Sequence, residues 1–136
     1  MNYSLEFPYR YSYESHTHTT LPIVLLSDQS RSVDVVAAVD TGSTFSIFER
    51  TYGEALDLNV ESGSRERIAT ATGYFYCYGH ELTVSLFDLE WQAVVYFADS
   101  EVFRRNVVGR VGFLDRLKVG IVDYEQLLYL GLYDES

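Results

Sequence analysis

From Tyr3 to Glu14 apolar and polar residues alternate, with Tyr3, Leu5, Phe7, Tyr9, Tyr11 and Tyr13 on one side and Ser4, Glu6, Pro8, Arg10, Ser12 and Glu14 on the other. A period of two predicts a strand, and Pro8, which has no N–H to donate, predicts a sheet edge or a break there. Two apolar runs, Leu21 to Leu26 and Val33 to Val39, flank the turn-forming Ser27-Asp28-Gln29-Ser30-Arg31-Ser32. This arrangement predicts a hairpin with both arms buried. Beyond Gly42 the stretch Ser43 to Phe48 is again strand-like, and Phe48, Tyr52, Ala55 and Leu56 then share one helical face. A short helix follows from that spacing, weakened by Gly53.

The second half repeats the extended pattern. Ile68 to Ala71 and Tyr74 to Leu86 form two arms around Thr72-Gly73, and Trp91 to Phe97 gives a further strand. Val107, Val111 and Leu114 fall at helical spacing and predict a second short helix. Lys118 to Val122, a turn over Asp123 to Gln126, and Leu127 to Leu132 close the chain. About eight short strands with one or two small helices make an all-β barrel or sandwich the expected architecture.

Composition narrows the choice of partners. The chain has 136 residues, 47% apolar, with 10 basic and 20 acidic residues and a net charge of −10. Scattered basic residues provide no electrostatic footprint for a phosphate backbone or an anionic membrane, so neither nucleic acid nor membrane is expected as a partner. No apolar run approaches the roughly 20 residues that a spanning helix needs. The single cysteine, Cys77, has no internal disulfide partner, and the opening MNYSLEFPYRY carries no leader pattern. A cytoplasmic location is the expectation.

The segment Ala37-Ala38-Val39-Asp40-Thr41-Gly42-Ser43-Thr44-Phe45-Ser46-Ile47 carries the most chemical information, because an ionisable carboxylate ends a wholly apolar strand. Such a group must be paired or hydrogen-bonded to be tolerated. Gly42 lets a backbone N–H approach it, and the Thr41 and Ser43 hydroxyls can donate hydrogen bonds. The same tripeptide also suits an ordinary Asx turn in which Asp40 caps its own loop.

In its apolar lead-in and its Ser-Thr-Phe-Ser-Ile continuation, this segment resembles the active-site loop of the single-lobed, retropepsin-like aspartic peptidases. Ala69-Thr70-Ala71-Thr72-Gly73-Tyr74-Phe75 resembles their flap hairpin, and Val107-Val108-Gly109-Arg110 resembles their second hydrophobic-glycine motif. Gly112-Phe113-Leu114-Asp115-Arg116 and Val119 to Tyr124 look like the closing helix and strand, particularly of cellular bacterial members. The resemblance runs in order over roughly residues 20 to 132. It implies an all-β, closed barrel-like acid-protease fold with one or two short helices and a flap hairpin. Residues 1–136 would form one domain, with 1–19 as an N-terminal strand extension.

The resemblance also implies a mechanism. That chemistry needs two carboxylates around a shared water, whereas this chain has one Asp-Thr-Gly. A two-fold homodimer would bring Asp40 to its own copy, and two carboxylates held that close share a proton. One Asp40 would take a proton from the water while the other donates to the scissile carbonyl, with no metal or cofactor. Thr41 would lock the two loops together, Gly42 would donate its N–H to the carboxylate, and Ser43 would hydrogen-bond the outer carboxylate oxygen. Ala71, Thr72, Gly73 and Tyr74 would close over an extended peptide, while Val107, Val108 and Gly109 would support the catalytic loop. In viral members the arginine after this glycine pairs with an acid that this chain replaces with Thr44, so Arg110 would lack that ion pair.

Other readings remain. A peptide-binding or dimerisation module on the same fold would keep the site without turnover. His16, His18, Cys77 and His80 could supply four zinc ligands, although their spacing is unlike the common sites. Cys77 as a nucleophile lacks a stabilising charge nearby in sequence, and the many tyrosines could hold a peptide or sugar or simply be half-buried strand residues. The dimer's charge, twice −10, favours neutral or basic peptide segments near the cleft.

Overall fold

The structure is a computed structural model that describes residues 1–15 and 17–134. Ten strands are formed: β1 (Tyr9–Ser12), β2 (Thr20–Leu26), β3 (Ser32–Val39), β4 (Ile47–Phe48), β5 (Ser64–Thr70), β6 (Gly73–Leu86), β7 (Leu89–Ala98), β8 (Val107–Val108), β9 (Leu117–Val122) and β10 (Leu127–Leu132). One helix, α1 (Arg50–Ala55), and three short 3-10 turns complete the described elements.

Seven strands lie in the order β2-β3-β8-β4-β7-β6-β5, and β2 also pairs with β6 through Val24–Ser85 and Leu26–Thr83. That extra pairing closes a ring of six strands and leaves β5 outside it, with β6 as its one strand partner among the described residues. The closed all-β barrel expected from the sequence is therefore the fold. Leu21, Ile23 and Leu25 of β2, with Val35 and Ala37 of β3, alternate into the interior and are almost fully buried. Phe48, Phe97, Phe113 and Leu86 fill the same core, each contributing roughly 1.5–3 kcal/mol by leaving water.

A second sheet, β1-β10-β9, carries the two ends of the chain. Phe87, at the β6–β7 turn with a left-handed φ of 55°, stacks against Tyr9 and also meets Tyr11, tying this sheet to the barrel. Tyr13 is buried beside it and donates its hydroxyl proton to Asp123.

Three local expectations are corrected. The N-terminal strand spans Tyr9 to Ser12 rather than the whole alternating stretch from Tyr3, with the expected break falling at Pro8 and β1 at the sheet edge. Pro8 cannot continue the ladder, and its ring packs so closely on Gly131 that a Cβ there would lie 2.8 Å from the proline Cδ. Of Ser43 to Phe48, only Ile47 and Phe48 are strand, because the carbonyls of Ser43 and Thr44 turn to accept the N–H groups of Arg110 and Val111. No helix starts at Val107, since Val107 and Val108 are drawn into the sheet. What remains is a wide turn with Leu114 N–H on Gly109 O and Asp115 N–H on Arg110 O, both 3.0 Å, leading into a 3-10 turn at Leu114–Arg116. Helix α1 does form, and Gly53 belongs in it for packing: a Cβ would meet Phe97 at 3.0 Å and Val60 at 3.1 Å.

Candidate active site

The site is built where the chain crosses itself. Strand β8 lies between β3 and β4, so Val107 pairs with Ala38 in parallel and with Ile47 antiparallel. The loop joining β3 to β4 carries Asp40, and it therefore straddles β8. The Ala38 N–H donates to Asn106 O, the Asp40 N–H to Val108 O, the Arg110 N–H to Ser43 O and the Val111 N–H to Thr44 O, all within 2.8–3.0 Å. The buried Ser46 hydroxyl accepts the Gly109 N–H at 3.0 Å. Gly109 is required sterically, because a Cβ would fall 2.4 Å from Phe45 O and 2.6 Å from Ser43 O. Val107, Val108 and Gly109 thus sit directly against the Asp40 loop.

Within the loop Asp40 is half-buried and Thr41 and Gly42 are exposed. The Gly42 N–H donates to Asp40 Oδ1 at 2.9 Å, and the Ser43 N–H donates to Asp40 O at 3.2 Å. The Ser43 hydroxyl does not meet the outer carboxylate oxygen: it donates to Phe45 O at 2.7 Å, which the tight return toward β4 brings nearer. Arg110 and Thr44 are neighbours through the backbone, and Arg110 makes no ion pair among the described residues.

Asp40 opens onto a cleft of about 510 Å³. Gly42, Ser43, Thr44, Phe45 and Ile47 line one side, and Arg67, Ile68, Ala69 and Thr70 of β5 line another. Side chains alternate along a strand, so four consecutive residues on one wall mean that the backbone edge itself faces the cleft. Phe75, Phe103, Arg105 and Val107 complete the lining. Beneath it lies a separate apolar cluster of Ile47, Cys77, Tyr96 and Val107, capped by Phe45, Ile68, Phe75 and Phe103. Phe45 packs on Tyr96 at 4.8 Å and Phe75 on Phe103 at 4.9 Å between ring centroids.

The β5–β6 hairpin has its two-residue tip at Ala71-Thr72, between paired Thr70 and Gly73. Ala71, Thr72, Gly73 and Tyr74 are all exposed and lie outside the cleft lining, which reaches only to Thr70 and Phe75. Tyr74 instead faces outward, with Arg67 over its ring at 5.1 Å and Tyr76 edge-on at 5.6 Å. Phe103 and Arg105 were not legible as site residues, because the loop that holds them has no motif. Asn106 anchors that loop: its Oδ1 accepts the Glu49 N–H at 2.9 Å and its Nδ2 donates to Glu49 Oε2 at 2.7 Å.

Cys77 is fully buried, and burial, with Glu66 and Asp99 nearby, pushes its thiol up to about 12. It is a neutral packing residue at ordinary pH rather than a nucleophile. His80 lies three positions along the same strand, on the opposite face, with Nε2 2.9 Å from Val60 O. His18 Nδ1 sits 3.0 Å from the Thr17 hydroxyl, His16 lies outside the described residues, and no three His, Cys, Asp or Glu side chains among the described residues converge on a metal position. No helix among the described residues is long and apolar enough to cross a membrane.

No protein-family model matches the chain, and no curated protein matches it by sequence. Among solved structures the chain is similar to a retropepsin-like aspartic protease from Rickettsia conorii, with a TM-score of 0.66 and 16% identity over 90% of this chain and 97% of that one. It is also similar to the EIAV protease complexed with the inhibitor HBY-793, with a TM-score of 0.53 and 16% identity over 74% of this chain and 88% of that one. The fold is retropepsin-like, the fold of aspartic proteases.

Proposed function

We propose that the protein is an aspartic endopeptidase whose active site forms between two copies of the chain. The observation that carries this reading is the Asp40 carboxylate, held by the Gly42 N–H at the head of a cleft whose wall is an unpaired strand edge. An extended peptide would add to β5 as a further strand, with its backbone hydrogen-bonded and its side chains directed alternately into the apolar floor. Thr41 and Gly42, exposed at the tip of the loop, meet their own copies across a two-fold axis. The two Asp40 carboxylates hold one proton and one water between them. The ionised member takes a proton as the water attacks, the protonated member donates to the carbonyl oxygen, and a tetrahedral diol forms with no covalent link to the protein.

In this reading Ala71, Thr72, Gly73 and Tyr74 fold down on the bound peptide and exclude water. Residues 1–136 act as one unit, with the β1 segment packed on its own β10, and the protein works in the cytoplasm without a cofactor. Profiling of a peptide library with the wild type and Asp40→Asn tests the proposal, alongside solution mass. Cleavage that is lost in a folded Asp40→Asn dimer is expected. Cleavage by a protein that stays monomeric, or turnover unchanged in Asp40→Asn, would refute the shared site, and binding of peptides without turnover would leave a peptide-binding module.

A further inference from the structure

The chain carries 20 acidic and 10 basic residues, yet the charged residues lining the cleft are Asp40, Arg67 and Arg105. The cleft thus opposes the charge of the molecule around it. Arg105 lies on the loop entering β8, is exposed, and forms no ion pair or hydrogen bond among the described residues. Its backbone position is set by the next residue, Asn106, through the paired hydrogen bonds to Glu49. Arg67 stands on β5 with its guanidinium engaged over the outward-facing Tyr74 ring, which leaves Arg105 as the cation open to a ligand. Phe75 and Phe103 supply an apolar floor between these two elements.

We propose that this cleft selects an acidic side chain in its peptide, with Arg105 as the specificity residue. A glutamate fits the lining chemically, its methylenes against Phe75 and Phe103 and its carboxylate accepting two N–H groups from the guanidinium fork. The net charge of −10 repels such a peptide at a distance, but physiological salt screens charges beyond about 8 Å, whereas a contact inside the cleft is screened far less. Salt therefore speeds the approach of an acidic peptide while leaving its selection in place. This reverses the preference for basic segments that total charge alone suggests.

The proposal rests on the peptide-cleft reading above, and the experiment separates the two. Peptide sets differing only by Glu, Gln or Lys at each position are assayed for cleavage by the wild type and for binding by Asp40→Asn using fluorescence anisotropy. Glu is expected to exceed Gln by about 10-fold or more at one position, the size of a charge-assisted hydrogen bond that the amide cannot replace. In Arg105→Gln the Glu-to-Gln ratio should fall to about one, and Arg105→Glu should turn the preference toward Lys. Equal use of Glu and Gln at every position, or a Glu preference that survives Arg105→Gln, overturns the assignment. Glu-selective binding without any cleavage upholds it while refuting the peptidase, and cleavage without Glu selection does the reverse.

Discussion

The crossing beneath Asp40 and the β5–β6 hairpin both border the cleft, but they are held in opposite ways. At the crossing, Val107 of β8 is paired on both sides, by β3 and by β4, Val108 is paired with β3, and four backbone hydrogen bonds and the Ser46 hydroxyl hold the loop. At the hairpin, Gly73 to Phe75 pair with β5 alone among the described residues, since Tyr76 O accepts the Asp99 N–H and pairing with β7 begins at Cys77. A two-stranded ribbon is marginal in water by itself. The Asp40 carboxylate is therefore placed by groups that have no freedom, whereas the hairpin is held on one side alone, as the proposed site, which must both orient a reactant and admit it, requires.

Substitutions at the two glycines give the sharpest contrast. Gly109→Ala drives a Cβ into two backbone carbonyls that cannot retreat, and should cost about 3 kcal/mol, a fall in Tm on the order of 10 °C by calorimetry. A melt within about 1 °C of wild type would show that the crossing yields as easily as the hairpin. Ser46→Ala leaves the Gly109 N–H buried without its acceptor and should cost about 1–3 kcal/mol in denaturant unfolding. Gly73→Ala meets no atom within 4 Å, but its φ of 151° is unfavourable for a side chain, so roughly 1 kcal/mol is expected. On the proposed function its larger effect falls on peptide turnover.

Amide hydrogen exchange reads the same difference without mutation. The N–H groups of Ala38, Asp40 and Gly109 should exchange only near global unfolding, whereas those of Ala71 and Thr72 should exchange rapidly. Equal protection would remove the distinction. The smallest expected effect concerns Cys77, at the hairpin's base. Its folded-state thiol loses its proton near pH 12, whereas the ordinary value is 9.0. The unfolded chain therefore binds fewer protons between those limits, and stability should be intact below pH 9 and decline as pH rises toward 12. Alkylation should be slow in the native state at pH 8 and prompt in denaturant, and Cys77→Ala should lessen the alkaline loss.

Much of the fold was legible because its signals are local. The apolar runs of β2 and β3, the extended stretches of β9 and β10 and the turn at Ser27 to Ser32 each rest on a few neighbouring residues, and they appear where the pattern puts them, although β2 and β3 bury one face rather than both. The failures were equally physical. Val107, Val111 and Leu114 have helical spacing, but two β-branched valines beside two open strand edges gain more from the ladder than from a helical turn. The break or sheet edge expected at Pro8 is present, since β1 begins at Tyr9 on the edge of its sheet, but no strand forms before it.

For the site, the sequence by itself determined one carboxylate, its glycine neighbour and the turn that joins them, since the 2.9 Å Gly42–Asp40 hydrogen bond spans two residues. Only the tertiary structure decided what surrounds that carboxylate. Phe75 arrives through hairpin register, Phe103 and Arg105 through a loop clamped by Asn106 on Glu49, and the outward-facing Tyr74 through strand alternation. The physical reason is that a turn's geometry follows from the steric freedom of adjacent residues, whereas a cleft's walls follow from strand pairing between segments that the chain keeps far apart.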